Sequence, residues 1–185
     1  MAPAMESQKE TPQIRPARAT DAAGIARVHV ETWQDAYAGL LPDRHLLRLN
    51  AQTHAMAWTR NLSHADGPRH AMVAVVSNDM DEDEVIGFVN FGPARESRPK
   101  DEGEVFMLYV STDWREQGIG RALIDAAFAA LKTRGLKAVS IWCLADNVAA
   151  IGFYQHLGGT RIPESRQENV GGAMFPVTGF RWALR

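Results

Sequence analysis

Tyr109-Val110-Ser111-Thr112-Asp113-Trp114-Arg115-Glu116-Gln117-Gly118-Ile119-Gly120-Arg121-Ala122-Leu123 decides how this chain of 185 residues is read. The β-type run Val105 to Val110 breaks into a polar loop, which passes through Gly118 and Gly120 into an Ala- and Leu-rich helix. Glycines there remove side chains, so an anion can approach backbone N–H groups at the start of the helix. Those amides have no partner within the helix and lie at the positive end of its dipole. The stretch is therefore expected to seat phosphate groups.

Three phosphate-binding devices compete for it. A Walker-type loop needs Lys followed by Ser or Thr after its last Gly, and Arg121-Ala122 stands there instead. A dinucleotide fingerprint needs a third Gly, and Leu123 occupies that position. The spacing Arg115-x-x-Gly118-x-Gly120 instead resembles the acyl-coenzyme A pyrophosphate loop of the GNAT superfamily of N-acetyltransferases.

Composition narrows the class. A mass of 20.4 kDa with 45% apolar and 23% charged residues suits one soluble globular domain. A net charge of −2 supplies no basic field, so nucleic acid is not expected as a partner. Cys143 is the single cysteine, which excludes an internal disulfide and reads as a small buried hydrophobe. The six histidines show no metal-ligand spacing, and no metal is expected. No run approaches the roughly 20 apolar residues of a membrane span. Met1 to Gln13 reads as a polar flexible tail without a signal-peptide core, so one domain over residues 14–185 and cytoplasmic residence are expected.

Along the chain, Ile14 to Pro16 reads as an edge strand. Thr20 or Asp21 is expected to cap a helix with an apolar stripe at Ile25, Val28, Trp33 and Tyr37. Helical stretches follow at Asp43 to Leu49 and Thr53 to Leu62. Ala71 to Val76 and Val85 to Phe91 read as strands around an acidic turn containing Asp79, Asp81, Glu82, Asp83 and Glu84. After the strand Glu104 to Val110 comes a helix with Ile119, Leu123, Ala127, Ala130 and Leu131 at helical spacing, ended by Gly135. Ala138 to Leu144 is an apolar strand. Asn147 caps a helix over Val148 to Leu157, closed by Gly158-Gly159, and a final strand pair is expected at Thr160 to Pro163 and Thr178 to Leu184. The order predicts an α+β (mixed α/β) single domain.

The resemblance to the GNAT family extends beyond the loop. Leu108 through Leu123 looks like its main coenzyme-binding motif. Asn147-x-x-Ala150-Ile151-x-Phe153-Tyr154-x-x-Leu157-Gly158 looks like its second, and Trp33-x-x-x-Tyr37-x-Gly39-Leu40-Leu41-Pro42 resembles the opening helices of a bacterial branch. Two departures stand out: Gly152 inside a helix, and Gly159-Thr160 where an aromatic residue often follows.

The resemblance implies a central, mostly antiparallel twisted sheet flanked by helices, with splayed strands at the coenzyme site. It also implies acetyl transfer from acetyl-CoA directly to a primary amine of a small molecule. The alternatives are a protein Lys or N-terminal acetyltransferase, or a non-catalytic coenzyme-binding module. Leu108 and Val110 would pair through their backbones with the pantetheine arm. The amides of Arg115, Glu116, Gln117, Gly118, Ile119, Gly120 and Arg121 would hold the pyrophosphate, and Asn147 would touch the arm. An alkylamine arrives protonated at neutral pH, so a base is needed. Glu104 is expected in that role, four residues before Leu108 and so on the same strand face, with Glu102 as fallback. Tyr154 is expected to donate a proton to the leaving thiolate. Trp33, Tyr37 and Trp142 are expected on the acceptor side, and a homodimer is compatible with the family.

Overall fold

The computed structural model describes residues 11–63, 69–77, 83–95, 101–164 and 166–184. Residues 1–10 of the expected tail, Asp79, Asp81 and Glu82 of the acidic turn, and His64 lie outside them. The elements run β1 (Gln13–Pro16), α1 (Ala22–Ala36), α2 (Asp43–Leu46), α3 (Ala51–Leu62), β2 (His70–Ser77), β3 (Asp83–Pro93), β4 (Glu102–Val110), α4 (Ile119–Thr133), β5 (Ala138–Leu144), α5 (Val148–His156), β6 (Thr160–Arg161), β7 (Arg166–Val170) and β8 (Ala173–Ala183). One sheet of eight strands orders them β1-β2-β3-β4-β5-β8-β6, with β7 paired to β8. Among the described strands every pairing is antiparallel except β4 with β5.

The strands of the first half read as unbroken apolar runs because both faces are covered. Ala71, Val73 and Val75 of β2 pack with α1 and α3 around Ile25, Val28 and Trp58. Ala74 and Val76, on the opposite face, join Leu123, Ala127 and Leu131 of α4. The helix α4 stops at Gly135, whose φ of 82° allows the closing pair Gly135 N–H to Lys132 O and Leu136 N–H to Leu131 O.

Two local expectations are corrected. Asp21 precedes α1 but makes no capping bond to it. Its carboxylate turns back to the Arg18 N–H at 2.6 Å and to the Arg15 guanidinium at 2.8 and 2.9 Å. The expected strand pair at the C-terminal end is larger than read, since β7 and β8 form a hairpin across Gly171-Gly172, both at positive φ. The sequence of β7, Arg-Gln-Glu-Asn-Val, is polar on both faces and so carried no apolar alternation to read. By contrast, Asn147 caps α5 as expected, its Oδ1 accepting from Ala150 N–H at 3.0 Å.

Candidate active site

β4 and β5 pair only from Glu102–Ala138 to Val105–Ile141, and beyond that level they diverge. A bulge drives the separation. Asn90 pairs with Met107 but Phe91 pairs with Val105, so Phe106 is the extra residue on β4. Its insertion flips the side-chain alternation: Val105, Leu108 and Val110 pack on the α4 side, Met107 and Tyr109 on the α1 side. Ser111 N–H is donated to Ile86 O at 2.8 Å. By alternation along the strand, the backbone groups of Val110 and Leu108 face the gap rather than β3. The result is a sheet edge in mid-sheet, able to pair with an extended ligand chain.

The gap opens into a cleft of about 840 Å³, which ends against the loop before α4. That loop turns sharply at Glu116 (φ 60°) and Gly118 (φ 79°). Gly118 is the N-cap of α4 and brings no side chain to its first turn. The first bond inside the helix is Ala122 N–H to Gly118 O, which leaves the N–H groups of Ile119, Gly120 and Arg121 without helical partners. Gly120 serves a second end, because a Cβ there would lie 3.2 Å from the Phe153 ring of α5. Arg115 is held by Asp35 of α1 at 2.8 Å, tying the loop to the other side of the sheet. Electrostatically, unpaired amides at the positive end of the helix dipole favour negative charge at this end of the cleft.

At the opposite flank, Tyr154 of α5, Cys143 of β5, and Tyr37 and Tyr109 line the cleft together. Burial pushes the Tyr154 phenol far above the ordinary tyrosine range, with Cys143 and Tyr37 adding to the rise. Burial pushes the Cys143 thiol up to about 11, Arg161 opposing, and its Sγ leans on Thr178 O at 3.8 Å. Tyr37 is also raised by burial, against hydrogen bonding from Tyr109 and Asn147. All these groups stay protonated at neutral pH. The arrangement offers a neutral, hydrogen-bonding lining rather than a charged nucleophile.

The sequence profile described as the acetyltransferase (GNAT) family matches residues 28–159, a span that contains the gap, the loop before α4, and α5. The chain belongs to the GNAT acetyltransferase family. It is 28% identical over 169 residues to YuaI of Bacillus subtilis (strain 168), an uncharacterised N-acetyltransferase, covering 91% of each chain. It is 30% identical over 139 residues to the mycothiol acetyltransferase of Rhodococcus opacus (strain B4), covering 68% of this chain but 45% of that longer protein. Among solved structures, the PaiA N-acetyltransferase of Thermoplasma acidophilum in complex with coenzyme A superposes with a TM-score of 0.69 at 16% identity, over 91% of this chain and 98% of that one. YncA of Salmonella typhimurium, with its cofactor acetyl-CoA, gives 0.65 at 17% identity and covers 95% of both. The chain thus has the GNAT fold.

Within this GNAT domain the residues expected at the site fall into two groups. Leu108, Val110, Arg115, Glu116, Gly118, Ile119, Gly120, Arg121, Asn147 and Tyr154 all line the cleft, as do Tyr37 and Trp142. Gln117 turns its side chain back to Asp113 O at 3.1 Å. Trp33 sits beside the cleft in a small cluster with Leu41 and Leu46, its ring 5.1 Å from Tyr37. Glu104 does not share the face of Leu108, because the bulge at Phe106 intervenes. Its carboxylate is 3% exposed and accepts from the Arg95 guanidinium and backbone N–H. Glu102 bonds Arg181 at 3.2 Å.

Sequence reading missed Cys143 as a cleft residue, although its place in β5 opposite the Tyr154 helix was there to be used. It also missed Phe106 and Met107, which reach the site only because of the bulge. Among the described residues no helix is long and apolar enough to cross a membrane, and no cluster of His, Cys, Asp and Glu is placed to hold a metal ion.

Proposed function

We propose that this GNAT domain transfers the acetyl group of acetyl-CoA directly to a primary amine of a small molecule in a ternary complex. The observation that carries this reading is the mid-sheet edge at Leu108 and Val110 opening onto the helix-start amides of Ile119, Gly120 and Arg121. An extended amide arm fits the former and a diphosphate the latter. In that pose the Val110 N–H lies where negative charge grows on the thioester oxygen. Tyr154, kept as a neutral phenol by burial, donates a hydrogen bond to the departing sulfur. Glu104 is engaged by Arg95 and lies outside the cleft lining, so it takes the amine proton through water.

Cys143 supplies the rival chemistry, an acyl-enzyme formed on its sulfur. A thiol pushed up to about 11 holds little thiolate at neutral pH, which favours direct attack by the amine. An acceptor flank made of the aromatic side chains Tyr37, Phe106, Tyr109 and Trp142 favours a small acceptor over a protein surface.

The test is free-thiol release from acetyl-CoA across a panel of amines, with three variants. Tyr154→Phe keeps acetyl-CoA binding and lowers kcat. Glu104→Gln shifts the alkaline rise in rate to higher pH. Cys143→Ala stays active. Unchanged kcat in Tyr154→Phe returns that residue to a packing role, and loss of all activity in Cys143→Ala replaces direct transfer by an acyl-enzyme.

A further inference from the structure

On the α1 side of the bulge, next to the cleft, lies a second cavity of about 160 Å³. That is close to the size that accommodates a benzene ring in an engineered protein interior, so it holds a group of about six heavy atoms. Met107 lines both spaces, and Tyr109 of the cleft stacks on His29 of the cavity with ring centroids 5.3 Å apart. The cavity is therefore the neighbour of the gap where an acceptor amine would stand.

Its polar inventory is one-sided. Arg69, His29, His54, His70, Asn61 and Asn90 contribute to the lining, and among the described residues no Asp or Glu does. Two carbonyls of the lining are already engaged: His70 O accepts from Asn90 Nδ2 at 2.9 Å, and Ala71 O from Ala17 N–H at 3.0 Å. The Arg69 guanidinium lies over the Phe106 ring, 5.0 Å from its centroid, and Phe106 lines the cleft. Arg95, on the same ring at 5.4 Å, is paired with Glu104 and Glu168. Arg69 has no carboxylate partner among the described residues, and its planar fork stands at the seam between cavity and cleft. His29 is buried in the same wall, and its Nδ1 finds no hydrogen-bond partner among the described residues. A lining that is cationic or neutral repels a second ammonium and suits an anionic group.

We infer that the acceptor is an amine bearing a carboxylate, an amino acid or a close relative, with its amine beside Met107 in the cleft and its carboxylate on Arg69 in the cavity. The inference rests on the acetyltransferase reading above and narrows its acceptor. It disfavours polyamines, whose second cation would meet no carboxylate among the described residues of this wall.

The test compares L-amino acids with their own carboxamides in the thiol-release assay. The amide's amine is the less basic and so the more available at neutral pH, which biases the comparison against the inference. Expressed per unprotonated amine, the acid is nonetheless expected to have the higher kcat/KM, by roughly threefold to fivefold for a pair at an exposed guanidinium. Arg69→Gln removes that preference by raising KM for the acid at unchanged kcat, and leaves the amide as it was. Arg69 is exposed, so the variant folds, and an unchanged melting shift with acetyl-CoA verifies it. Equal use of acid and amide, or an equal loss of both in Arg69→Gln, overturns the inference. Acetylation confined to amines without a carboxylate overturns it too, while leaving the acetyltransferase reading intact. No thiol release with any amine removes that reading, and the inference with it.

Discussion

Replacing His29 with Phe should make the protein more resistant to mild acid. His29 sits in α1 at 5% exposure, between Tyr109, Trp33, Phe88 and the His54 ring of α3 at 4.8 Å. Burial, with a smaller contribution from His54, lowers its pKa from 6.5 to about 4. The unfolded chain takes up a proton at this ring below pH 6.5, while the folded protein keeps it neutral until about pH 4. Acid therefore favours the unfolded form. The contribution of His29 is fully present above pH 6.5 and is lost as the pH falls towards 4. The whole span is worth about 3 kcal/mol, of which about 2 kcal/mol is gone by pH 5. Against a total stability of roughly 5–15 kcal/mol, that is readily measured. Urea unfolding of both proteins at pH 7 and pH 5, at equal ionic strength and without coenzyme, gives the comparison. The native chain should lose about 2 kcal/mol more than His29→Phe between the two pH values. Equal losses would mean that the ring is protonated in the folded state, and the account of its burial would fall.

Two further substitutions probe the coenzyme end. Gly118→Glu should abolish the rise in melting temperature that acetyl-CoA gives, because a carboxylate enters the anion seat. Gly118→Asn, which tolerates the φ of 79°, should retain most of it. A full shift in the Glu variant would remove the loop from the site. Gly152→Ala should stabilise the protein by about 1 kcal/mol, and by roughly 2–4 °C in melting temperature, since an added Cβ meets nothing within 4 Å and the helix interior favours Ala. Turnover should be unaffected, because Gly152 is absent from the cleft lining; a fall in kcat would show that the bare backbone faces the coenzyme.

Legibility in the sequence followed the range of the interactions. Ala138 to Leu144 and the Asn147 cap were readable because an apolar strand and a helix start are specified by neighbours in sequence. The departure at Gly159 was readable as a departure but not explained by it. Trp182 of β8 fills the space, since a Cβ on Gly159 would lie 2.5 Å from its ring, and Trp182 Nε1 donates to Leu157 O at 3.0 Å. The aromatic group thus comes from the last strand instead of from the helix end. Asp21 looked like a helix cap, yet Arg15 and the Arg18 N–H claimed its carboxylate across the chain turn. Glu104 was placed on the wrong face because strict alternation from Leu108 ignores one inserted residue.

By itself the sequence determined the strand–loop–helix with its Gly118 and Gly120, the second motif around Tyr154, and hence the family. Glycine positions, caps and periodicity act over a few residues, so their consequences can be read without the rest of the chain. Tertiary structure alone decided where β4 and β5 part, which carboxylates are tied up in ion pairs, and that Arg69, His29 and His54 meet beside Met107. Those outcomes depend on the register between strands distant in sequence and on which side chains compete for the same partner, and no local pattern encodes either.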